Sequence, residues 1–257
     1  QLVNPLRPRV IPSLLLRGES LVKTVRFGNF IYVGDPANTC RIFNELEVDE
    51  LVFLDIVASR EKREPNYSLL RDISSECFRP LSYGGGITSV EMAEKVLKIG
   101  FETVIINTAA LCNSHLIREI SDKIGSQSLI VAIDVKKGWF GKVCCRGLSG
   151  RWKSGFQPIA WAQKAESEGA GEILLTSIDR EGTWSGFDLK LVSNVVDAVS
   201  IPVIASGGAG STDEISKVIK HSGASAAALG SMVVFQRKDM GVLVNFPEAE
   251  QLKKALL

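Results

Sequence analysis

Short apolar runs alternate with amphipathic segments along the whole chain. The strand-like runs lie at residues 9–17, 49–56, 79–87, 101–109, 129–137, 171–179, 201–210 and 224–232. Such continuous runs are typical of parallel strands buried on both faces. The segments between them carry apolar residues three and four apart, as helices do. Eight strand–helix units predict an α/β fold, a single (β/α)8 TIM barrel covering residues 1–257.

The chain also repeats itself after about 120 residues. RPLSYGGGI aligns with IPVIASGGAG, DELVFLDI with GEILLTSI, and RVIPSLLLR with LIVAIDVKK. A nearly constant offset across several strands is harder to obtain by chance than any one motif. It predicts two half-barrels in tandem, at about 1–124 and 125–257.

Two segments are longer than a minimal barrel needs. Residues 18–36 form a predicted loop after strand one that contains Lys23, and residues 137–157 predict an extra hairpin after strand five. Loops of this length are usually functional or mobile. Lysines prefer the surface, so Lys23 is expected to be solvated more often than to bind phosphate.

The composition excludes several functions. Thirty basic and 29 acidic residues give a net charge of +1, which offers no bulk attraction to nucleic acid or an acidic membrane. No apolar run reaches the ~18 residues of a membrane span, and residues 1–10 lack a signal-peptide pattern, so a cytoplasmic protein is expected. Five cysteines without CxxC and two histidines suggest neither disulfides nor zinc, and we expect no cofactor.

Two glycine-rich stretches predict phosphate binding at the carboxyl ends of the strands. The first combines the triplet at residues 84–86 with Asn107 and Thr108, and the second combines Gly207, Gly208 and residue 210 with Gly230 and Ser231. Glycines let backbone N–H groups approach a phosphate closely, and small polar side chains add donors near a helix N-terminus. The alternative is that they are only turn glycines.

Carboxylates at strand ends are the candidates for acid–base chemistry. Asp134 ends strand five, and a charged group on so apolar a strand usually has a task or a partner. For Asp55 and Asp179, a structural salt bridge or cap is at least as good an explanation. Charged residues at the strand starts, among them Arg9, Glu50 and Glu172, predict a ring of ion pairs at the barrel bottom or a gate for something small.

These motifs resemble, over essentially the whole length, the HisF family, the cyclase subunit of imidazole glycerol phosphate synthase. DELVFLDI, GGGI, INTAAL, VAIDVK, GAGEILLTSIDREGT and IPVIASGGAG occur in the family's order. The resemblance implies that two phosphates of a ribulose-type nucleotide sit in the twin cradles. It also implies a glutaminase subunit, HisH-like, at the N-terminal barrel face, whose ammonia passes through the barrel.

The resemblance assigns roles to single positions. It makes Asp134 one of two acid–base aspartates. It assigns the gate and partner face to Arg9, Glu50, Thr103 and Glu172. It places phosphate or substrate binding at Lys23, Gly85, Gly86, Asn107, Thr108, Thr176, Glu181, Gly182, Gly207, Gly208, Gly230 and Ser231.

Departures from the family pattern argue against ordinary histidine biosynthesis. The aspartate of strand one falls at Leu15, which cannot transfer a proton, and the gate lysine falls at Thr103, so the usual gate ion pairs cannot form. A family aspartate is replaced by Glu181. Losing one acid–base partner typically removes a factor of ~10²–10⁴ in rate.

Several stretches resemble a narrower branch, the glycosyl amidation-associated paralogue (WbuZ type) of surface-polysaccharide clusters. They include RPRVIPSLLL, YVGDPANTCRIFNELEVDELVFLDI and MGVLVNFP. That branch is implicated, with a glutaminase and an ATP-dependent amidotransferase, in forming an acetamidino group on a nucleotide sugar. The leading hypothesis is therefore an ammonia-conducting subunit for sugar amidation. The alternatives are a histidine-pathway cyclase using Asp134 alone and a non-catalytic ammonia conduit.

Overall fold

The computed structural model describes residues 8–257, and its core is a closed barrel of eight parallel strands. The predicted fold class is confirmed. The strands are β1 (Arg9–Arg17), β2 (Leu51–Asp55), β3 (Leu81–Gly84), β4 (Thr103–Ile106), β5 (Leu129–Lys137), β6 (Glu172–Ser177), β7 (Val203–Ser206) and β8 (Ala226–Leu229). Each pairs with the next, and β8 pairs with β1 to close the barrel. The first seven residues, where part of the signal-peptide argument falls, lie outside the described residues.

Helices surround the barrel and carry their apolar faces inward. They are α1 (Pro36–Glu45), α2 (Ala58–Glu61), α3 (Tyr67–Ser75), α4 (Val90–Ile99), α5 (Thr108–Cys112), α6 (His115–Ile124), α7 (Pro158–Ser167), α8 (Leu189–Val196), α9 (Thr212–Lys220), α10 (Ser231–Val234) and α11 (Ala249–Leu256). Ser89 and Ser211 cap α4 and α9 by accepting hydrogen bonds from the backbone 3 residues on, which satisfies a free N–H of the first turn. No helix in residues 8–257 is long and apolar enough to cross a membrane.

Side chains of alternate residues fill the barrel interior. Ile11, Val52, Ile130, Leu174 and Ile204 point to the axis and are almost fully buried. A larger apolar layer lies between the barrel and the helices. The strand period of 2 therefore decides which side chains meet at each mouth of the barrel.

Both long insertions form antiparallel hairpins. Strands Val143–Gly147 and Trp152–Lys153 extend β5, so the hairpin predicted after strand five is confirmed. The segment predicted as a loop after strand one instead contains strands Ser20–Thr24 and Phe30–Gly34, which extend β1. These strands are short, so the alternation of apolar and polar residues that would indicate them is weak in the sequence. All five cysteines are free.

Candidate active site

A cavity of about 330 Å³ opens at the carboxyl ends of the barrel strands. Most of the predicted phosphate and acid–base residues line it. They are Lys23, Gly85, Gly86, Asn107, Thr108, Asp134, Thr176, Glu181, Gly182, Gly207, Gly208, Gly230 and Ser231. Both glycine cradles and Asp134 therefore share one chamber, which is wide enough for a small phosphorylated ligand.

The first cradle follows β3. Gly85 and Gly86 have φ of +131° and +71°, and a Cβ added to Gly86 would lie 2.3 Å from the carbonyl oxygen of Arg63. Only glycine fits such a turn. Asn107 and Thr108, at the start of α5, are engaged within the protein: Asn107 Nδ2 donates to Asp134 at 3.2 Å, and the Thr108 hydroxyl accepts from the backbone N–H of Leu148 at 3.0 Å.

The second cradle follows β7 and is also built on two glycines with positive φ. Gly207 and Gly208 have φ of +96° and +107°, and a Cβ on Gly208 would lie 2.2 Å from the carbonyl oxygen of Gly186. Gly230 precedes the short helix α10, as Asn107 precedes α5, and Ser231 is buried beside it. Thus each cradle brings a tight glycine turn next to the start of a short helix.

Asp134 ends the inward-facing row of β5 and lies opposite Thr176 of β6 in the sheet register. Its carboxylate accepts from Asn107. Burial raises the pKa of Asp134 to about 7, because the charged form loses hydration in this setting. A carboxyl group with such a pKa can both donate and accept a proton near neutral pH.

Leu15 occupies the corresponding position on β1. It faces the same cavity, is 9% exposed, and pairs in register with Leu54 of β2 and with Val22 of the first hairpin. The cavity wall is therefore apolar at the position where the resemblance to the cyclase family implies a second carboxylate.

Lys23 is buried rather than solvated, which corrects the expectation from its residue type. Its side chain is 6% exposed, and Nζ forms an ion pair with Glu181 and donates to the carbonyl oxygen of Thr24 at 2.8 Å. Glu181 also accepts from the Thr24 hydroxyl and from the backbone N–H of Phe27, each at 3.1 Å. The sequence could not show this pairing, because the partners are 158 residues apart.

Asp55 and Asp179 have structural roles, in line with the more ordinary of the two explanations. Asp55 accepts from the backbone N–H groups of Val57 and Ala58 and pairs with Arg63 at 2.9 Å. Asp179 accepts from the backbone N–H of Lys137 at 2.8 Å. Their oxygens are thus occupied in holding the loops that surround the cavity.

An ion-pair cluster lies at the opposite, amino-terminal end of the barrel. Arg9 pairs with Glu50 at 3.1 Å and with Glu172, whereas Thr103 adds no charge. Burial acts to lower the pKa of Arg9, but the two carboxylates outweigh it and the pKa is raised. Burial raises the pKa of both Glu50 and Glu172. The predicted ring of ion pairs therefore forms around Arg9 without a lysine at position 103, and it links β1 with the starts of β2 and β6.

Sequence reasoning missed several residues of the cavity rim. Arg17, Ser59, Arg60, Ser149 and Arg151 also line the chamber. None is in a recognisable motif. For Ser149 and Arg151 the available signal was the absence of acidic residues between Asp134 and Glu166, a stretch that contains seven lysines and arginines. Among the described residues, no group of three or more His, Cys, Asp or Glu side chains could hold a metal ion.

Comparison with known proteins places this architecture in a family. The family model described as "Histidine biosynthesis protein" matches residues 9–239, so the chain belongs to that family. It is 50% identical over 246 residues to a protein of Pseudomonas aeruginosa provisionally named imidazole glycerol phosphate synthase subunit hisF2, covering 96% of this chain and 98% of that one.

Two further relatives carry the same family name. The chain is 41% identical to the imidazole glycerol phosphate synthase subunit HisF of Streptococcus sanguinis, with 88% of this chain and 90% of the relative covered. It is 44% identical to the HisF subunit of Pyrococcus furiosus, with 86% and 87% covered. The resemblance to the HisF family is therefore confirmed.

Proposed function

We propose that this chain is the ammonia-accepting barrel subunit of a glutamine amidotransferase complex that amidates a nucleotide-sugar precursor of surface polysaccharide. Leu15 carries the proposal. It faces the cavity on β1 where the family's second acid–base aspartate is expected, so cyclisation would have only one of the two family aspartates, Asp134.

The ligand-binding features of the cavity support a role beyond that of a non-catalytic ammonia conduit. Both glycine cradles keep their left-handed turns, and Asp134 keeps a pKa near neutrality. The glycine turns are also required by the backbone, but a barrel that only conducted ammonia would not need a buried carboxyl group at position 134. We propose that the cradles bind a phosphorylated ligand and that Asp134 exchanges protons with it.

The amino-terminal face is the proposed docking site for the glutaminase. Arg9, Glu50 and Glu172 lie there at the base of the barrel axis, and their half-buried charges offer a polar surface with a defined geometry. Ammonia released by the glutaminase would enter the barrel beside this cluster. Thr103, which is uncharged, removes one possible obstacle at that entrance.

A second candidate function is the cyclase step of imidazole glycerol phosphate synthesis. The family match over residues 9–239 and the HisF names of the relatives favour it. In that case Asp134 alone would serve as acid and base, with Glu181 in place of a family aspartate.

An assay with ammonium salt and the family's ribulose-type substrate distinguishes the two. We expect turnover by the wild type to be ~10²–10⁴ lower than that of the Streptococcus sanguinis relative, measured side by side, and Leu15→Asp to recover much of it. Leu15→Asn, similar in size but without an acid, is the matched control and should stay slow. Wild-type turnover equal to that of the relative would overturn the sugar-amidation proposal.

Docking is tested by mixing the purified chain with a purified HisH-like glutaminase and measuring glutamine hydrolysis. We expect the barrel to stimulate hydrolysis, and Glu50→Gln or Glu172→Gln to weaken this stimulation. The exposed Glu19, which follows the carboxyl end of β1 at the opposite face, supplies the control variant Glu19→Gln. Unchanged stimulation in both cluster variants would count against docking through this cluster.

A further inference from the structure

Lys23 is a buried primary amine on the wall of the ligand cavity. Strand Ser20–Thr24 of the first hairpin carries it inward, where its side chain is 6% exposed and lines the chamber. Its Cε lies 2.8 Å from the position that a Cβ on Gly230 would occupy. The amine is thus held beside the second phosphate cradle, with a carboxylate, Glu181, in direct contact.

We propose that Lys23 forms an imine with the carbonyl carbon of a phosphorylated aldehyde or ketone whose phosphate is held by the second cradle. Phosphate bound next to Gly230 and Ser231 would leave the carbon chain of a small ligand within the cavity, against the amine. This assigns covalent chemistry to Lys23 and does not depend on which acceptor is finally amidated.

The surroundings of the amine suit a nucleophile. Burial lowers the pKa of Lys23 to about 7, so a large fraction of free amine exists at neutral pH whenever Glu181 releases it. Lysines desolvated in this way are the ones that form Schiff bases.

The proton balance uses Glu181 alone. The carboxylate takes the proton of the ammonium group, and the free amine adds to the carbonyl carbon to give a carbinolamine. Glu181 then returns a proton to the carbinolamine hydroxyl as the carbon–oxygen bond breaks. One water leaves, the imine remains, and no oxidant or reductant is consumed.

Ammonia reaching the chamber would then have an activated target. Attack of ammonia on the imine carbon expels the Lys23 amine and leaves a primary imine on the ligand, so lysine is regenerated without net change. Such an exchange activates a carbonyl without a carboxyl group at position 15. The loss of the strand-one acid and the retention of Lys23 are therefore chemically consistent.

Reductive trapping tests the proposal with the intact chain. Dihydroxyacetone phosphate and ribulose 5-phosphate are the probes, sodium cyanoborohydride is the reductant, and dihydroxyacetone is the unphosphorylated control. We expect one adduct per chain, saturable in probe and suppressed by inorganic phosphate. Trypsin does not cleave after an alkylated lysine, so the adduct should appear in the peptide of residues 18–26.

Two variants separate imine formation from simple phosphate binding. Lys23→Arg keeps the charge and should abolish trapping while phosphate still binds, and Glu181→Gln should slow trapping at least tenfold. The exposed Lys98 and Lys142 report non-specific labelling in the same digest. Adducts spread over exposed lysines would overturn the proposal. So would labelling of Lys23 in the wild type that inorganic phosphate does not suppress, a measurement that does not depend on the folding of any variant.

Discussion

The strands β1–β4 and β5–β8 carry glycine turns of the same kind but differ in the groups they present to the cavity. Gly85 lies against Asp55 in the first set just as Gly207 lies against Ser177 in the second. At the end of the first strand of each set, however, one has Leu15 and the other Asp134.

This difference shows that the turn glycines and the side chains at the strand ends meet separate requirements in the two repeated halves of the barrel. Turn glycines are fixed by the backbone, because a Cβ would collide with the neighbouring strand end. The side chain at the strand end points into the cavity and is free to change without disturbing the sheet. A barrel can thus keep its ligand grip while its proton chemistry changes.

The largest expected effect on stability comes from truncating one buried side chain in a helix that packs against each set of strands. Phe43 of α1 and Trp161 of α7 are buried, and replacing either by Ala should lower the free energy of unfolding by about 3–5 kcal/mol. Ile42→Ala and Ile159→Ala, at partly exposed positions of the same helices, are the controls and should cost less. Because β4 pairs with β5 and β8 with β1, urea should unfold the whole barrel in one transition. Two separate transitions would show that the sets are independent.

Cradle glycines should give the next largest effect, and it should be similar in both sets. Gly85→Ala and Gly207→Ala each add a Cβ within 2.7 Å of backbone atoms at a positive φ, so we expect a loss of about 2 kcal/mol or more. Gly18→Ala and Gly141→Ala, also at positive φ but with open space around the Cβ, isolate the conformational strain. Urea unfolding would measure the loss of stability, and calorimetric titration would measure the loss of phosphate binding. A large difference between the two cradles would contradict their equivalence.

A smaller, pH-dependent effect should appear only in the second set. Unfolded Asp134 loses its proton near pH 4, whereas the folded chain holds it until about pH 7. The unfolded state binds fewer protons over this range, so the free energy of unfolding falls as the pH rises. Asp134→Asn removes this loss. At pH 8 its free energy of unfolding should exceed that of the wild type by about 1–2 kcal/mol, after allowance for screening by solvent in the cavity.

The control for this effect is the same pair of proteins at pH 4. There the gain should nearly vanish, because Asp134 is protonated in the folded wild type. A gain that is equal at pH 4 and pH 8 in urea unfolding would contradict a raised pKa. In Leu15→Asn neither the old nor the new side chain titrates and Asp134 is kept, so the difference in unfolding free energy from the wild type should be the same at pH 4 and pH 8.

The smallest expected effect is at the amino-terminal end, where each set contributes one carboxylate to Arg9. Because Arg9 is one-third exposed, Glu50→Gln or Glu172→Gln should each cost less than about 1 kcal/mol. The cost should shrink as salt is added. Thermal melts at low and high ionic strength would measure it, and a loss of several kcal/mol would mean that Arg9 becomes an unpaired buried charge.

The barrel could be predicted from the sequence because its strands are buried on both faces. The stretch 129–133, for example, is apolar throughout, and each glycine cradle can be recognised directly in the sequence. The first hairpin was missed because its five-residue strands are exposed in part and joined by a turn without a strong signal, Val25–Asn29. In contrast, β5 continues into its hairpin, and that extension was found.

The environment of single side chains was harder to predict than their positions. Lys23 was expected in solvent because its burial depends on Glu181, which lies far away along the chain. Arg60 and Arg151 reach the rim only after α2 and the second hairpin are folded into place. Pattern and spacing report local structure, whereas such contacts depend on the tertiary fold.

Closing the barrel also determines where the sheet ends. Within the described residues, the outer strands of the two hairpins, Phe30–Gly34 and Trp152–Lys153, are the edges of the sheet. Phe30, Ile31 and Tyr32 are 47%, 57% and 61% exposed along the first edge. Unpaired strand edges with apolar side chains favour pairing between molecules. The first hairpin is therefore the place where concentrated protein would begin to aggregate, and where one added lysine would best improve its solubility.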